Sequence, residues 1–239
     1  DITATLNYID EPCPTSCLCY EISIAGLQGG HSGMDIHKGL GNANKLMSRI
    51  LYDGFSGFGL RISKIDGGSL RNAMPRESRA IVTIDKNKKN DFEFEIKKLI
   101  GEINDEFNSL EPDFLIALNP CDLPKYVMEL SKQEKVIKVL KCVFNGVYRM
   151  SPDINNLVET SNNLARVSVE NGSILIECLT RSSVDSSKYD LANSIKATFE
   201  LAGFNVEFSG EYPGWTPNMN STILRILKKL YFQLNNSKP

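Results

Sequence analysis

Histidine is nearly absent. The 239 residues contain two, His31 and His37, so any imidazole chemistry is confined to one short stretch. No CxxC pair occurs among the six cysteines. Cys13, Cys17 and Cys19 cluster while Cys121, Cys142 and Cys178 scatter, a pattern of free buried thiols in a reducing compartment rather than a disulfide framework. Neither sign of charge dominates. Lys+Arg 27 against Asp+Glu 29 leaves a net charge of -2, with no global drive toward nucleic acid or anionic lipid. No apolar run approaches the roughly 20 residues that span a bilayer, so no membrane partner is expected. The nucleophile motif G-x-S-x-G is missing. Gly26-x-x-Gly29-Gly30 is not a dinucleotide fingerprint, because the downstream acid at the right distance is lacking.

What is present is ordinary globular material. Hydrophobic residues make up 41% and charged residues 23%, which excludes bulk disorder. The length suits one large domain or two fused halves. The chain opens on Asp1 without a signal-peptide pattern, and residues 1–9 already alternate as a half-buried strand, with Ile2, Ala4, Leu6 and Tyr8 on one face. The expectation is a start inside a folded domain.

Periodicity then predicts strand 18–25, a helix capped by Asn42, strands 58–65 and 78–84, a helix over 90–109 and strand 113–118. The second half echoes the first. A helix over 131–145 leads to strands 163–169 and 173–181 around the Asn171-Gly172 turn, then a helix over 185–202 and strand 204–209. A last amphipathic helix, 220–235, has nothing after it to pack on. The fold class is therefore α+β: two related split β-α-β (ferredoxin-like) halves, with helices packed on one face of a mostly antiparallel sheet.

Three residues stand out as site candidates. His31 is flanked by glycines, which let the backbone come close to a ligand or another chain. It is either a hydrogen-bond donor to a polar substrate atom or a plain loop histidine. Asn72, after the Gly67-Gly68 turn, presents an amide to a cleft or, more commonly, caps its own turn. Arg181 ends an apolar strand, where a guanidinium suits bidentate carboxylate binding. A surface ion pair with Asp185 is its commoner fate. His31, Asp35 and His37 do not have a recognised zinc spacing, and no Cys or acidic cluster completes them.

These segments together resemble the Xaa-His dipeptidase family, the aminoacyl-histidine or cytosol non-specific dipeptidases (peptidase D). The likeness is carried by Gly26-Leu27-Gln28-Gly29-Gly30-His31-Ser32-Gly33-Met34-Asp35-Ile36-His37 and by Gly67-Gly68-Ser69-Leu70-Arg71-Asn72-Ala73-Met74-Pro75. It extends through Val158-Glu159-Thr160-Ser161, Arg181-Ser182-Ser183-Val184-Asp185 and Tyr212-Pro213-Gly214-Trp215-Thr216-Pro217.

The resemblance implies a two-zinc exopeptidase acting on Xaa-His and other dipeptides in the cytoplasm. It also implies that this chain is the lid, or dimerisation, domain, since the family's zinc motifs do not occur here. Zinc would then be held by residues outside this chain, with no metal ligand within it, and the fragment would be inactive alone. On this reading residues 1–9 connect from the catalytic domain, 10–125 and 126–210 are the lid halves, and 211–239 lead back. His31 is implied to be the catalytic oxyanion donor, and Asn72 and Arg181 substrate-binding residues. In the first half Asp85-Lys86 stands where some relatives carry that arginine. The implied partners are a dipeptide and a second copy joined through the lid. The rival expectation is a stand-alone, non-catalytic α+β association module.

Overall fold

The computed structural model describes residues 1–215 and 217–238. Thr216, within the Tyr-Pro-Gly-Trp-Thr-Pro segment, and Pro239 lie outside the described residues. In chain order the elements begin with β1 (Ile2–Asn7), β2 (Asp10–Pro12) and β3 (Cys17–Ala25). Then come α1 (Ala43–Phe58), β4 (Arg61–Gly67), β5 (Ser78–Asp85), α2 (Lys89–Phe107) and β6 (Leu115–Cys121). The second part runs β7 (Tyr126–Met128), α3 (Leu130–Cys142), β8 (Gly146–Met150), β9 (Val158–Glu170), β10 (Ser173–Ser182), α4 (Asp185–Leu201) and β11 (Asn205–Phe208). Last comes α5 (Thr222–Asn235).

One nine-stranded sheet carries the fold, in the order β11-β1-β10-β9-β4-β5-β3-β6, with β8 added beside β9. Its ladders are antiparallel. The order resolves into two βαββαβ units. β3, α1, β4, β5, α2 and β6 make the first. The second uses α3, β9, β10, α4 and β11, and takes its remaining strand, β1, from the start of the chain, slotted between β10 and β11. The units join where β4 meets β9 in the register Ile65↔Val169, Asp66↔Ser168, Gly67↔Val167.

Local chemistry explains the elements that position the junction. The Asn42 side chain accepts the Asn44 and Lys45 amides at 3.0 and 3.1 Å, starting α1. Leu46, Met47, Ile50 and Leu51 then point into the core. Phe92 of α2 packs its ring against Tyr20 and Phe58, centroids 5.4 and 5.6 Å apart. Asn171 and Gly172 take φ of 52° and 74°, the doubly positive turn that joins β9 to β10. Lys45 crosses between the units: its ammonium donates to the carbonyls of Leu140, Lys141 and Val143 at 2.8–3.0 Å, closing the end of α3. Burial pushes this lysine down to about 8.

The structure extends two expectations. β9 begins at Val158, five residues earlier than its hydrophobic alternation, because Thr160, Ser161, Asn162 and Asn163 are buried and polar. The short strands β2, β7 and β8 lie in stretches without apolar alternation. α5 buries no residue, and Ile223, Ile226, Leu227, Leu230 and Phe232 are exposed along it. No helix among the described residues is long and apolar enough to cross a membrane.

Candidate functional site

The site is built on three strand ends that meet at the junction of the two units. β3 runs out into the glycine-rich segment. Gly30 sits at φ 146°, and a Cβ there would stand 2.8 Å from the Asp35 Cβ and 2.9 Å from the Met74 Cε, so only glycine fits this close crossing. The following residues pair with the loop between β4 and β5. His31 bridges Ala73, the Ser32 amide donates to the Asn72 carbonyl at 2.9 Å, and the Met74 amide donates to the Gly30 carbonyl at 2.9 Å. That loop is tied in turn to the second unit, because the Asn163 amide donates to the Arg71 and Ala73 carbonyls at 3.0 and 2.8 Å.

His31 is held by its own turn. Its Nδ1 accepts two backbone amides, from Gly33 and Met34, each at 3.1 Å. An imidazole nitrogen that accepts cannot carry the proton, so in the neutral ring the proton sits on Nε2 and can be donated outward. The His31 backbone amide donates to the Asp35 carboxylate at 2.8 Å, and Lys38 pairs with that carboxylate at 2.6 Å. The lysine and then the His31 amide hold Asp35 below the usual carboxylate range.

Arg181 comes from the other unit and reaches the same place. A Cβ on Gly33 would lie 3.1 Å from the Arg181 Cδ and 3.3 Å from the His31 Cε1, so both side chains flank one glycine. Among the described residues the guanidinium contacts only neutral oxygens: Nε to the Ser32 hydroxyl at 3.4 Å and Nη1 to the Tyr212 hydroxyl at 3.1 Å. The expected ion pair with Asp185 does not form. Asp185 is taken by Lys188 at 2.7 Å and by the Gly214 amide at 2.7 Å. Among the described residues, Arg181 has no carboxylate partner. Beside it opens a cleft of about 410 Å³, lined by Glu159, Leu179, Lys188, Tyr212 and Trp215 among others. Asn72 is exposed next to His31, and its side chain makes no hydrogen bond among the described residues, so it does not cap its turn. His37 is exposed.

Residues 22–111 match the peptidase dimerisation domain family. The whole chain is 33% identical to the cytosol non-specific dipeptidase of Escherichia coli (strain K12), of which it covers 49%. It superposes, with a TM-score of 0.92 and 33% identity over its full length, on the crystal structure of aminoacylhistidine dipeptidase from Vibrio alginolyticus, of which it also covers 49%. The chain resembles the dimerisation domain of the aminoacylhistidine dipeptidases. It spans about half the length of the relatives it matches.

The candidate residues fall where the two units touch. Sequence reasoning missed the residue that holds the His31 segment down. Glu111, buried just after α2, accepts the Gln28 amide at 2.7 Å and the Gly41 amide at 2.8 Å, one on each oxygen. It thereby clamps both ends of the glycine-rich stretch. An acid next to Pro112 reads as a solvated helix end, and no local sequence pattern marks it otherwise. The described residues do not fit zinc: no three His, Cys, Asp or Glu side chains converge, and His31 Nδ1 is already committed to backbone amides.

Proposed function

We propose that this chain is the lid of a cytoplasmic, zinc-dependent dipeptidase that hydrolyses Xaa-His and other dipeptides. The observation that carries the reading is the pairing of a tautomer-fixed imidazole with an arginine lacking any carboxylate partner among the described residues, one from each unit, around Gly33. A dipeptide has the matching groups: a scissile carbonyl and a free C-terminal carboxylate. His31 donates its Nε2 proton as a hydrogen bond to the carbonyl oxygen as negative charge develops there. Arg181 receives the terminal carboxylate as a fork of parallel hydrogen bonds. Asn72 offers its unengaged amide to the substrate backbone. Closure of the lid excludes water from these contacts.

The zinc ions, with their water-activating chemistry, belong to the half of the protein outside this chain. Residues 1–9 and 211–239 connect the lid halves, 10–125 and 126–210, to that half, and the exposed apolar face of α5 packs against it. A second copy joins through the lid.

Two measurements test this. The isolated chain with added zinc is expected to show no dipeptide hydrolysis, while the intact protein turns over; turnover by the chain alone would defeat the division of labour. In the intact protein, Arg181→Met is expected to raise KM about 10- to 100-fold for dipeptide acids, the worth of about 1.5–3 kcal/mol for hydrogen bonds to a charged group. Dipeptide amides, which lack the carboxylate, should be hydrolysed by the variant and the parent with similar KM. An equal KM rise for acids and amides would remove Arg181 from this role.

A further inference from the structure

The peptidase reading makes no use of a second cluster, at the far edge of the sheet. Among the described residues β6 is the outermost strand on that side and pairs only with β3. Its last residue, Cys121, stands directly opposite Cys19. The two sulfurs are 2.9 Å apart. Residues facing each other across an antiparallel pair have Cα atoms about 4.5–5.5 Å apart, inside the span of about 4.4–6.8 Å that disulfides bridge. Closing the bond therefore asks only for the sulfurs to approach, with no shift of the strands. Access is one-sided: Cys121 is exposed and Cys19 buried.

We infer that Cys19 and Cys121 form a reversible disulfide site that staples β6 to the sheet, with a low-molecular-weight disulfide as oxidant. The Cys121 thiolate attacks one sulfur of the oxidant. A bond forms between them, the oxidant's own S–S bond breaks, and one thiolate leaves. Cys19 then loses its proton and attacks the Cys121 sulfur, and the second thiolate departs with the electron pair of the mixed disulfide. Two protein thiols become one disulfide, and the oxidant becomes two thiols. Burial, then the hydrogen bond to Cys121, raises the Cys19 thiol above its usual range, so exposed Cys121 reacts first. The remaining thiols are placed differently. The Cys13 sulfur turns to the Pro14 carbonyl at 3.8 Å, Cys17 begins β3 opposite Asp85, Cys142 ends α3, and Cys178 lies in the core. The closed ring would span 102 positions, nearly all of the first unit, and a long ring restricts the unfolded chain most.

The test uses the intact protein and oxidised glutathione as the probe. After incubation, a non-reducing digest analysed by mass spectrometry is expected to contain a peptide linked through Cys19 and Cys121. The melting temperature should rise by several degrees and return on adding dithiothreitol. Cys121→Ser should give neither the link nor the rise, and Cys19→Ser should halt with glutathione on Cys121. Unchanged thiols, glutathione retained on Cys121 in the unsubstituted protein, or a link between another pair would each overturn the inference.

Discussion

Replacing His31 by alanine in the intact protein is expected to lower kcat about 100- to 1,000-fold, with KM for dipeptides changed little. The magnitude is that of removing one preorganised donor to a developing oxyanion, about 2.7–4 kcal/mol. The direction follows from the turn around the ring. Two backbone amides at 3.1 Å occupy Nδ1, so the donor at Nε2 is set before the reaction begins. A donor that strengthens as charge develops acts on the transition state more than on bound substrate, and its loss appears in kcat. His31→Gln separates this from a structural role. A glutamine amide also donates, so partial recovery of kcat over the alanine variant is expected, with the melting temperature of both variants close to that of the parent. If steady-state kinetics showed the alanine variant turning over at the parent rate, His31 would be a loop residue and the proposed site would lose its centre.

The reading of the sequence succeeded where one residue type has one physical use. Asn42 is an N-cap because a short side-chain acceptor before an apolar stripe has orphan amides to satisfy, and it satisfies two. Asn171-Gly172 is a hairpin turn because those two residues tolerate positive φ. The glycines around His31 marked a close crossing of chains for the same reason. Other features were hidden by their partners. Residues 158–162 lie ahead of the predicted strand 163–169, yet they open strand β9 because distant groups complete their buried polar side chains. Asn162 donates to the Phe144 carbonyl at 2.7 Å, and the Thr160 hydroxyl lies 2.8 Å from those of Ser182 and Ser187. The slotting of β1 between β10 and β11 is equally invisible, since an alternating strand does not name its neighbours. The meeting of His31 with Arg181 depends on that topology: it requires the β4–β9 seam, which no local pattern encodes.

Glu111→Leu is expected to destabilise the protein by about 3–5 kcal/mol and to reduce kcat as well, although Glu111 touches neither His31 nor Arg181 in the contacts of the site. Leucine has a similar volume, so little cavity is opened. The cost lies in the two amides left behind. Each now donates to a carboxylate oxygen, at 2.7 Å from Gln28 and 2.8 Å from Gly41, and a hydrogen bond to a charged group contributes about 1.5–3 kcal/mol. The Gly41 contact is buried, so water cannot replace the lost acceptor there without opening the loop. Opening it frees both ends of the segment whose middle fixes the His31 ring, and a donor free to wander is a weaker donor. The two effects are read separately. Denaturant unfolding reports the stability loss through a lower midpoint at unchanged slope. Kinetics at a temperature where the variant is still folded report the loosening of His31. Hydrogen exchange at residues 28–41 should quicken in the variant well before global unfolding. A variant as stable as the parent would mean the carboxylate is not the clamp. A destabilised variant with undiminished kcat would mean that the clamp serves the fold alone and that the His31 turn keeps its geometry unaided.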